Sequence, residues 1–248
     1  MAVTILYYHR VGPPRAGLPR KGFVTPVAFR AQMTWIGRSG WRLLSLDDYV
    51  DALASGRRTP RRGVVVTFDD GFADCLAHAR PVLEELGIPA TFFIVAGAVG
   101  GSDHWNPANA KRPERLMGWD DLRALHRAGF AIGSHTMHHR RLAELEAGEA
   151  RAELERSKAR LEEGLGAPVR HLAYPQGSWS PETASLAKAA GYASACATRH
   201  GAVRRGRPDL HALPRVPVSA GDSTVAFAGK LLKGALGVYH WRAKPPTA

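Results

Sequence analysis

Two adjacent carboxylates, Asp69 and Asp70, close the segment Thr67-Phe68-Asp69-Asp70-Gly71, directly after the apolar run Val64-Val65-Val66. Like charges side by side are costly unless something positive holds them, and a divalent metal can take one carboxylate and leave its neighbour as a base. A solvated Asp-Asp turn that caps the next helix would use the same residues. A second cluster, Gly133-Ser134-His135-Thr136-Met137-His138-His139, follows Phe130-Ala131-Ile132. His135 and His139 are four apart, so one helical turn would carry both rings to one side. His138 competes as a ligand, because a spacing of three also works on such a turn. Two imidazoles and a carboxylate make a three-ligand site with a position open for water, the pattern of catalytic zinc sites. The histidines alone read as a polar loop without metal; beside a carboxylate pair at a second strand end, the metal reading is the stronger.

The segments around these residues resemble the polysaccharide deacetylases (carbohydrate esterase family 4, the NodB homology domain). TFDDG at 67–71 and SHTMHHRRL at 134–142 are similar to that family's first two motifs, and Ala173-Tyr174-Pro175-Gln176-Gly177 is similar to its third. The similarity runs from about Ile5 to about Val218. It implies a metal-dependent hydrolase that removes acetyl groups from the amide nitrogen of an N-acetylated sugar, whether polymer, oligomer or lipid-linked glycan. It further implies that Asp70, His135 and His139 hold the metal while Asp69 acts as general base on the attacking water. The backbone amide of Gln176 matches the family's oxyanion donor position, and Tyr174 is expected at the sugar site or as an ordinary strand-end aromatic.

Two positions depart from the family pattern. Many members carry an Arg two residues before the Pro of the third motif, where it holds the catalytic aspartate; here Ala173 stands there. Arg215, in Leu213-Pro214-Arg215-Val216-Pro217-Val218, is the candidate replacement, since a buried Arg opening a late strand needs a carboxylate partner. The family's late Leu-x-His motif supplies a general acid, whereas this chain has Leu210-His211, one residue shorter. His211 is the expected acid, with His9, after the first strand, as a second candidate at the barrel mouth.

The elements that must position these residues are legible as alternating patterns. Strand-like runs at Val3–Tyr8, Gly63–Phe68, Ala90–Val95, Phe130–Gly133 and Arg170–Tyr174 alternate with helical spacing. Thr25-Pro26 and Ser180-Pro181 each offer an N-cap hydroxyl followed by Pro at the first helical position. The stretch Leu142–Leu165 reads as one surface helix. Such alternation implies α/β architecture with a parallel sheet covered on both faces. The resemblance narrows this to an irregular, TIM-like (β/α) barrel of about seven parallel strands. With no internal repeat or Pro/Ser-rich linker, residues 1–248 read as a single catalytic domain with its motifs in 63–218.

The remaining features bound partners and setting. The chain carries a net charge of +12, much of it in Arg57-Arg58, Arg61-Arg62 and Arg204-Arg205-Gly206-Arg207. These runs read first as a solvated surface, and the balance also suits an acidic or diphosphate-linked glycan; no nucleic acid is expected, because no aromatic platform accompanies the arginines. Near the C-terminus, Phe227, Leu231, Leu232 and Leu236 with Lys230 and Lys233 form an amphipathic stretch that packs on the barrel or touches a membrane surface peripherally. Met1-Ala2-Val3-Thr4 enters a strand without a charged leader, and Ile88–Val99 is too short to span a bilayer, so a cytoplasmic enzyme is the expectation. Cys75 and Cys196 suggest neither a disulfide framework nor a structural zinc. Carboxylate and imidazole donors suit zinc first, with cobalt, nickel or iron also accommodated. A small-substrate amidohydrolase and an inactive carbohydrate-binding relative are the alternative functions.

Overall fold

The continuous Val, Ile and Phe runs become strands covered on both faces. A computed structural model describes residues 3–13, 22–106, 112–198 and 209–236. Its main sheet follows one path of parallel strands: β1 (Val3–Tyr8), β2 (Gly63–Phe68), β3 (Ala90–Ile94), β4 (Ala131–Ser134), β5 (His171–Ala173), β6 (Ser194–Cys196) and β7 (Arg215–Pro217). The spatial order is β7-β1-β2-β3-β4-β5-β6, with the two-residue strand Arg42–Leu43 added beside the start of β2. The seam between the end strands is bridged by Cys196 and Leu213, whose segment exchanges backbone hydrogen bonds with Ala195 and Ala197. The sheet is therefore a nearly closed barrel of seven parallel strands.

Helices α1 (Pro26–Arg38) and α2 (Leu46–Ala54) precede β2, and α3 (Asp74–His78) with α4 (Arg80–Glu85) leads to β3. Then α5 (Trp119–Arg127), α6 (Ala147–Leu165) and α7 (Pro181–Ala189) fall between successive strands, and α8 (Thr224–Leu236) follows β7. Thr25 and Ser180 cap α1 and α7 through their hydroxyls, as their placement before Pro implies. The expected helix Leu142–Leu165 is shorter than the spacing suggests. Leu142–Glu144 form a separate 3-10 turn, and extended backbone at Leu145 and Glu146 delays the start of α6 until Ala147. Among the described residues, no helix is long and apolar enough to cross a membrane. The amphipathic stretch near the C-terminus packs inward through Phe227 and Leu231, with Phe227 edge-on to Trp35 of α1. Arg204–Arg207 lie outside the described residues.

Alternation along the strands divides the apolar residues between two cores. Leu6, Tyr8, Val64, Val66, Phe68 and Phe92 pack outward under the helices, and Phe68 stacks on Phe92 at 4.7 Å between ring centroids. Val3, Ile5, Val65, Phe93, Ala173 and Cys196 fill the barrel, with Leu46, Tyr49 and Val50 of α2 packed against them. Gly133 leaves room for Phe93: a Cβ there would stand 2.5 Å from the Phe93 ring and 3.0 Å from the His171 carbonyl. Gly133→Ala is accordingly expected to lower stability by roughly 1–3 kcal/mol through overpacking. Urea denaturation checks this, and an unchanged midpoint would show that the barrel interior yields freely.

Candidate active site

The carboxyl ends of the strands gather the residues that could do chemistry, as parallel barrels generally do. β2 delivers Asp69 and Asp70, β4 delivers His135, and His139 arrives four residues later. The segment from His135 to His139 is not the helical turn that the spacing suggests. It runs as an irregular loop in which Thr136 and His139 both adopt positive φ, at 64° and 59°. Asp70 at 71° and Gln176 at 54° are the other non-glycine residues with positive φ among those described. Left-handed backbone of this kind costs on the order of 1–3 kcal/mol per residue and persists only where its surroundings impose it. All four such positions fall in the three motifs.

Three donor atoms converge in this loop. His135 Nε2 lies 3.4 Å and His139 Nε2 3.3 Å from Asp70 Oδ1, and the set fits within 4.8 Å. Asp70 Oδ1 is buried and has no hydrogen-bond partner. His135 Nδ1 lies 2.7 Å from the Ala173 carbonyl, which can only accept, so that nitrogen carries the proton and Nε2 of the neutral ring presents a lone pair to the carboxylate. A lone pair facing a buried carboxylate is repulsive unless positive charge stands between them. Burial lowers the pKa of His135, but Asp70, Asp69 and the Ala173 carbonyl more than compensate, so it is raised above that of an ordinary imidazole. Burial raises the pKa of Asp70, yet when their Nε2 atoms carry protons the two imidazoles hold it well below the usual carboxylate range. The cluster thus draws a cation or a proton. Donors about 2.1 Å from a tetrahedral centre stand about 3.4 Å apart, so the spacing fits one divalent ion with a position left open.

His138 takes no part in the cluster. Its side chain is 55% exposed and its Nδ1 meets Glu153 Oε1 at 2.6 Å, which removes it as a competing ligand.

Asp69 is held separately. Arg215, fully buried at the start of β7, donates from Nη1 to Asp69 Oδ1 at 2.6 Å and from Nη2 to Oδ2 at 2.8 Å. Its guanidinium also donates to Thr67 Oγ1 and to the Ala197 carbonyl, and it lies over the rings of Tyr7 and Phe93. Burial pushes the Asp69 carboxyl up, but Arg215 and then His135 more than offset this and keep its pKa below the ordinary value.

A cavity of about 290 Å³ opens over these groups, lined by Tyr7, His9, Asp69, Asp70, Trp105, Asn106, His135, His139, Gln176 and Thr198. Tyr174 and His211 are not part of that lining. The Tyr174 hydroxyl donates to the His211 carbonyl, and His211 Nε2 lies 2.8 Å from the Tyr192 carbonyl, so both residues tie the seam of the barrel. Tyr7, Trp105, Asn106 and Thr198 were not legible as site residues. Trp105 comes from the long loop after β3, packs on Phe72, Val95, Ala98 and Leu116, and stacks on His139 at 4.8 Å between centroids. No spacing pattern marks such a contact.

A second arrangement imitates a catalytic triad without the means to act as one. His171 lies 2.9 Å from Ser194 Oγ and 3.1 Å from Asp47 Oδ1, at the amino ends of β5 and β6. Ser194 is fully buried, so no substrate reaches its hydroxyl.

Comparison with known proteins bears on the same residues. Residues 56–195 match the family described as Polysaccharide deacetylase. The chain is 28% identical over 226 residues to YxkH of Bacillus subtilis, covering 91% of this chain and 74% of that protein. It is 25% identical over 205 residues to the poly-beta-1,6-N-acetyl-D-glucosamine N-deacetylase of Staphylococcus aureus, covering 79% of this chain and 68% of that one. The structure superimposes on the Streptococcus pyogenes deacetylase PplD with a TM-score of 0.79, covering 93% of this chain and 98% of that one at 21% identity. That likeness establishes the fold.

The buried ion pair yields a test of its own. Arg215→Met leaves Asp69 charged and unpaired, and is expected to cost about 3–5 kcal/mol at neutral pH. Adding Asp69→Asn should restore much of that loss, which a double-mutant cycle in urea measures. Because the folded Asp69 pKa is depressed, its stabilising effect is present above the ordinary carboxylate pKa and disappears as pH falls through the folded value. The cost of Arg215→Met should therefore shrink on acidification; a constant cost would show that Asp69 is not the partner that matters.

Proposed function

The chain belongs to the polysaccharide deacetylase family, and from that premise we propose that it removes N-acetyl groups from an N-acetylated glycan with the help of one divalent cation. It is a hydrolase of carbon–nitrogen bonds. The observation that carries the finer reading is the convergence of Asp70, His135 and His139 around a buried carboxylate oxygen without a hydrogen-bond partner. Those three residues would hold the ion, zinc first. When bound, a divalent ion supplies Lewis-acid polarisation of the amide carbonyl and makes a water molecule acidic enough to attack it.

The protein's own groups do the rest. Asp69, kept ionised by Arg215, accepts the proton of the attacking water at a carboxylate oxygen. The bidentate guanidinium fixes the orientation of that carboxylate, so little reorganisation accompanies the transfer. The backbone N–H of Gln176, at the family's donor position and in left-handed conformation, stabilises the oxyanion. The leaving amine must gain a proton, and His9, a lining residue that with Asp69 and Asp70 borders the cavity, is our choice of donor in preference to His211. A volume of about 290 Å³ is at the small end for ligand pockets, about 300–1,000 Å³, and suits one acetamido sugar with the rest of the glycan outside. The name of the S. aureus relative supports an N-acetylglucosamine polymer as substrate class.

Acetate release from N-acetylglucosamine oligomers, β-1,4- and β-1,6-linked, tests this reading. Release should stop with chelator and return with added zinc or cobalt. Asp69→Asn should keep the ion and lose on the order of 10²–10⁴-fold in turnover, the usual scale of general base catalysis. Asp70→Ala combined with His135→Ala should lose the ion in a folded protein. Activity indifferent to chelator would overturn the metal reading, and near-normal turnover in Asp69→Asn would remove it as the base.

A further inference from the structure

The loop that carries both imidazoles is strained, yet its conformation must hold two rings to within a few tenths of an ångström. Its backing comes from outside the cavity. Glu153, on α6 and only 5% exposed, accepts from the backbone N–H of Met137 at 3.0 Å and of His138 at 2.8 Å, both through Oε2. Its other oxygen meets His138 Nδ1 at 2.6 Å. One carboxylate therefore gathers three donors from the two residues between Thr136 and His139, the two positive-φ positions of the loop. Behind the loop, the Ala96 and Gly97 amides donate to the carbonyls of Thr136 and Met137, and Arg160, also on α6, donates to the Ala96 carbonyl. A Cβ at Gly97 would stand 2.5 Å from the Met137 carbonyl oxygen, so the loop is pressed against its support.

We propose that Glu153 is a positioning residue for the metal centre: its carboxylate clamps the 137–138 backbone and thereby sets where His135 and His139 present their Nε2 atoms. This inference rests on the assignment of Asp70, His135 and His139 as ligands. Glu153 belongs neither to the cavity lining nor to the three-residue cluster. His138 acts with it as the third tooth of the clamp, which gives a physical role to the one histidine of the motif that does not enter the cluster. Partners that orient metal ligands in this way typically contribute 10- to 100-fold in metal affinity.

The test is a Co²⁺ titration of the full chain, read by the visible absorption band, with thermal unfolding of the metal-free protein recorded in parallel. Glu153→Ala should weaken cobalt binding by about 10- to 100-fold and alter the band. Glu153→Gln should rescue most of the affinity, because its carbonyl still accepts from both amides and its NH₂ donates to the other tautomer of His138. A merely structural role would lower the unfolding temperature and leave the affinity and band of the folded protein unchanged; that result would overturn the proposal. Should Glu153→Ala fail to fold, Glu153→Asp decides, since its carboxyl is withdrawn by one methylene: wild-type affinity there overturns the clamp, and weaker binding supports it. A wild-type chain that takes up no cobalt overturns the ligand assignment itself, and the clamp with it.

Discussion

A buried carboxylate oxygen facing two imidazole nitrogens without hydrogen bonds calls for positive charge between them, and the architecture at the barrel mouth follows from meeting that demand. Uncompensated burial of a carboxylate is among the most expensive arrangements a protein can adopt. Here His135 Nε2 and His139 Nε2 lie 3.4 and 3.3 Å from Asp70 Oδ1, and the three atoms fit within 4.8 Å, a spacing that suits a shared ion. The Ala173 carbonyl fixes the tautomer of one ring, and Trp105 stacks flat against the other. The second carboxylate is kept off this centre by its own counter-charge, Arg215, which leaves Asp69 ionised and oriented. Two adjacent aspartates thus meet different surroundings, a guanidinium for Asp69 and two imidazoles for Asp70, and on the proposed function they take different roles.

The barrel provides what a loop alone would not. Strand register carries Arg215 level with Ile5, two residues before Tyr7, so that its guanidinium lies in the interior beneath the site and reaches Asp69 across β1. Phe93 forms another wall of that guanidinium's cage, and Gly133 makes room for Phe93. The four residues with positive φ are distributed over three strand ends. Strain at a functional site is sustained by a core that has energy to spare, and the two apolar layers on either side of the strands are that core.

How much of this was legible follows from where the chemistry sits in the chain. Asp69 and Asp70 close one apolar run and His135 and His139 lie just past another, so residue type and strand end read together. Arg215 follows from the resemblance, because the family's Arg position holds Ala173 here and a buried Arg at a strand start requires a carboxylate partner. Helix starts at Thr25 and Ser180 were local facts of capping. The spacing of His135 and His139 was misleading in mechanism, since left-handed backbone, and not a helical turn, brings the rings together. By spacing alone His138 is a rival ligand, and only the position of α6, with Glu153 on its inner face, turns that ring away. Trp105 and Asn106 enter through a long loop, and β6, with the sequence Ser-Ala-Cys, has no apolar run to announce it. Such contacts belong to tertiary structure and leave no periodic trace.

The most direct test of the account is anomalous X-ray scattering from crystals grown with zinc, measured above and below the zinc absorption edge. One strong difference peak is expected, bounded by Asp70 Oδ1, His135 Nε2 and His139 Nε2, with Asp69 outside bonding range. A peak elsewhere in the chain with that position empty, or one coordinated by Asp69, would contradict it.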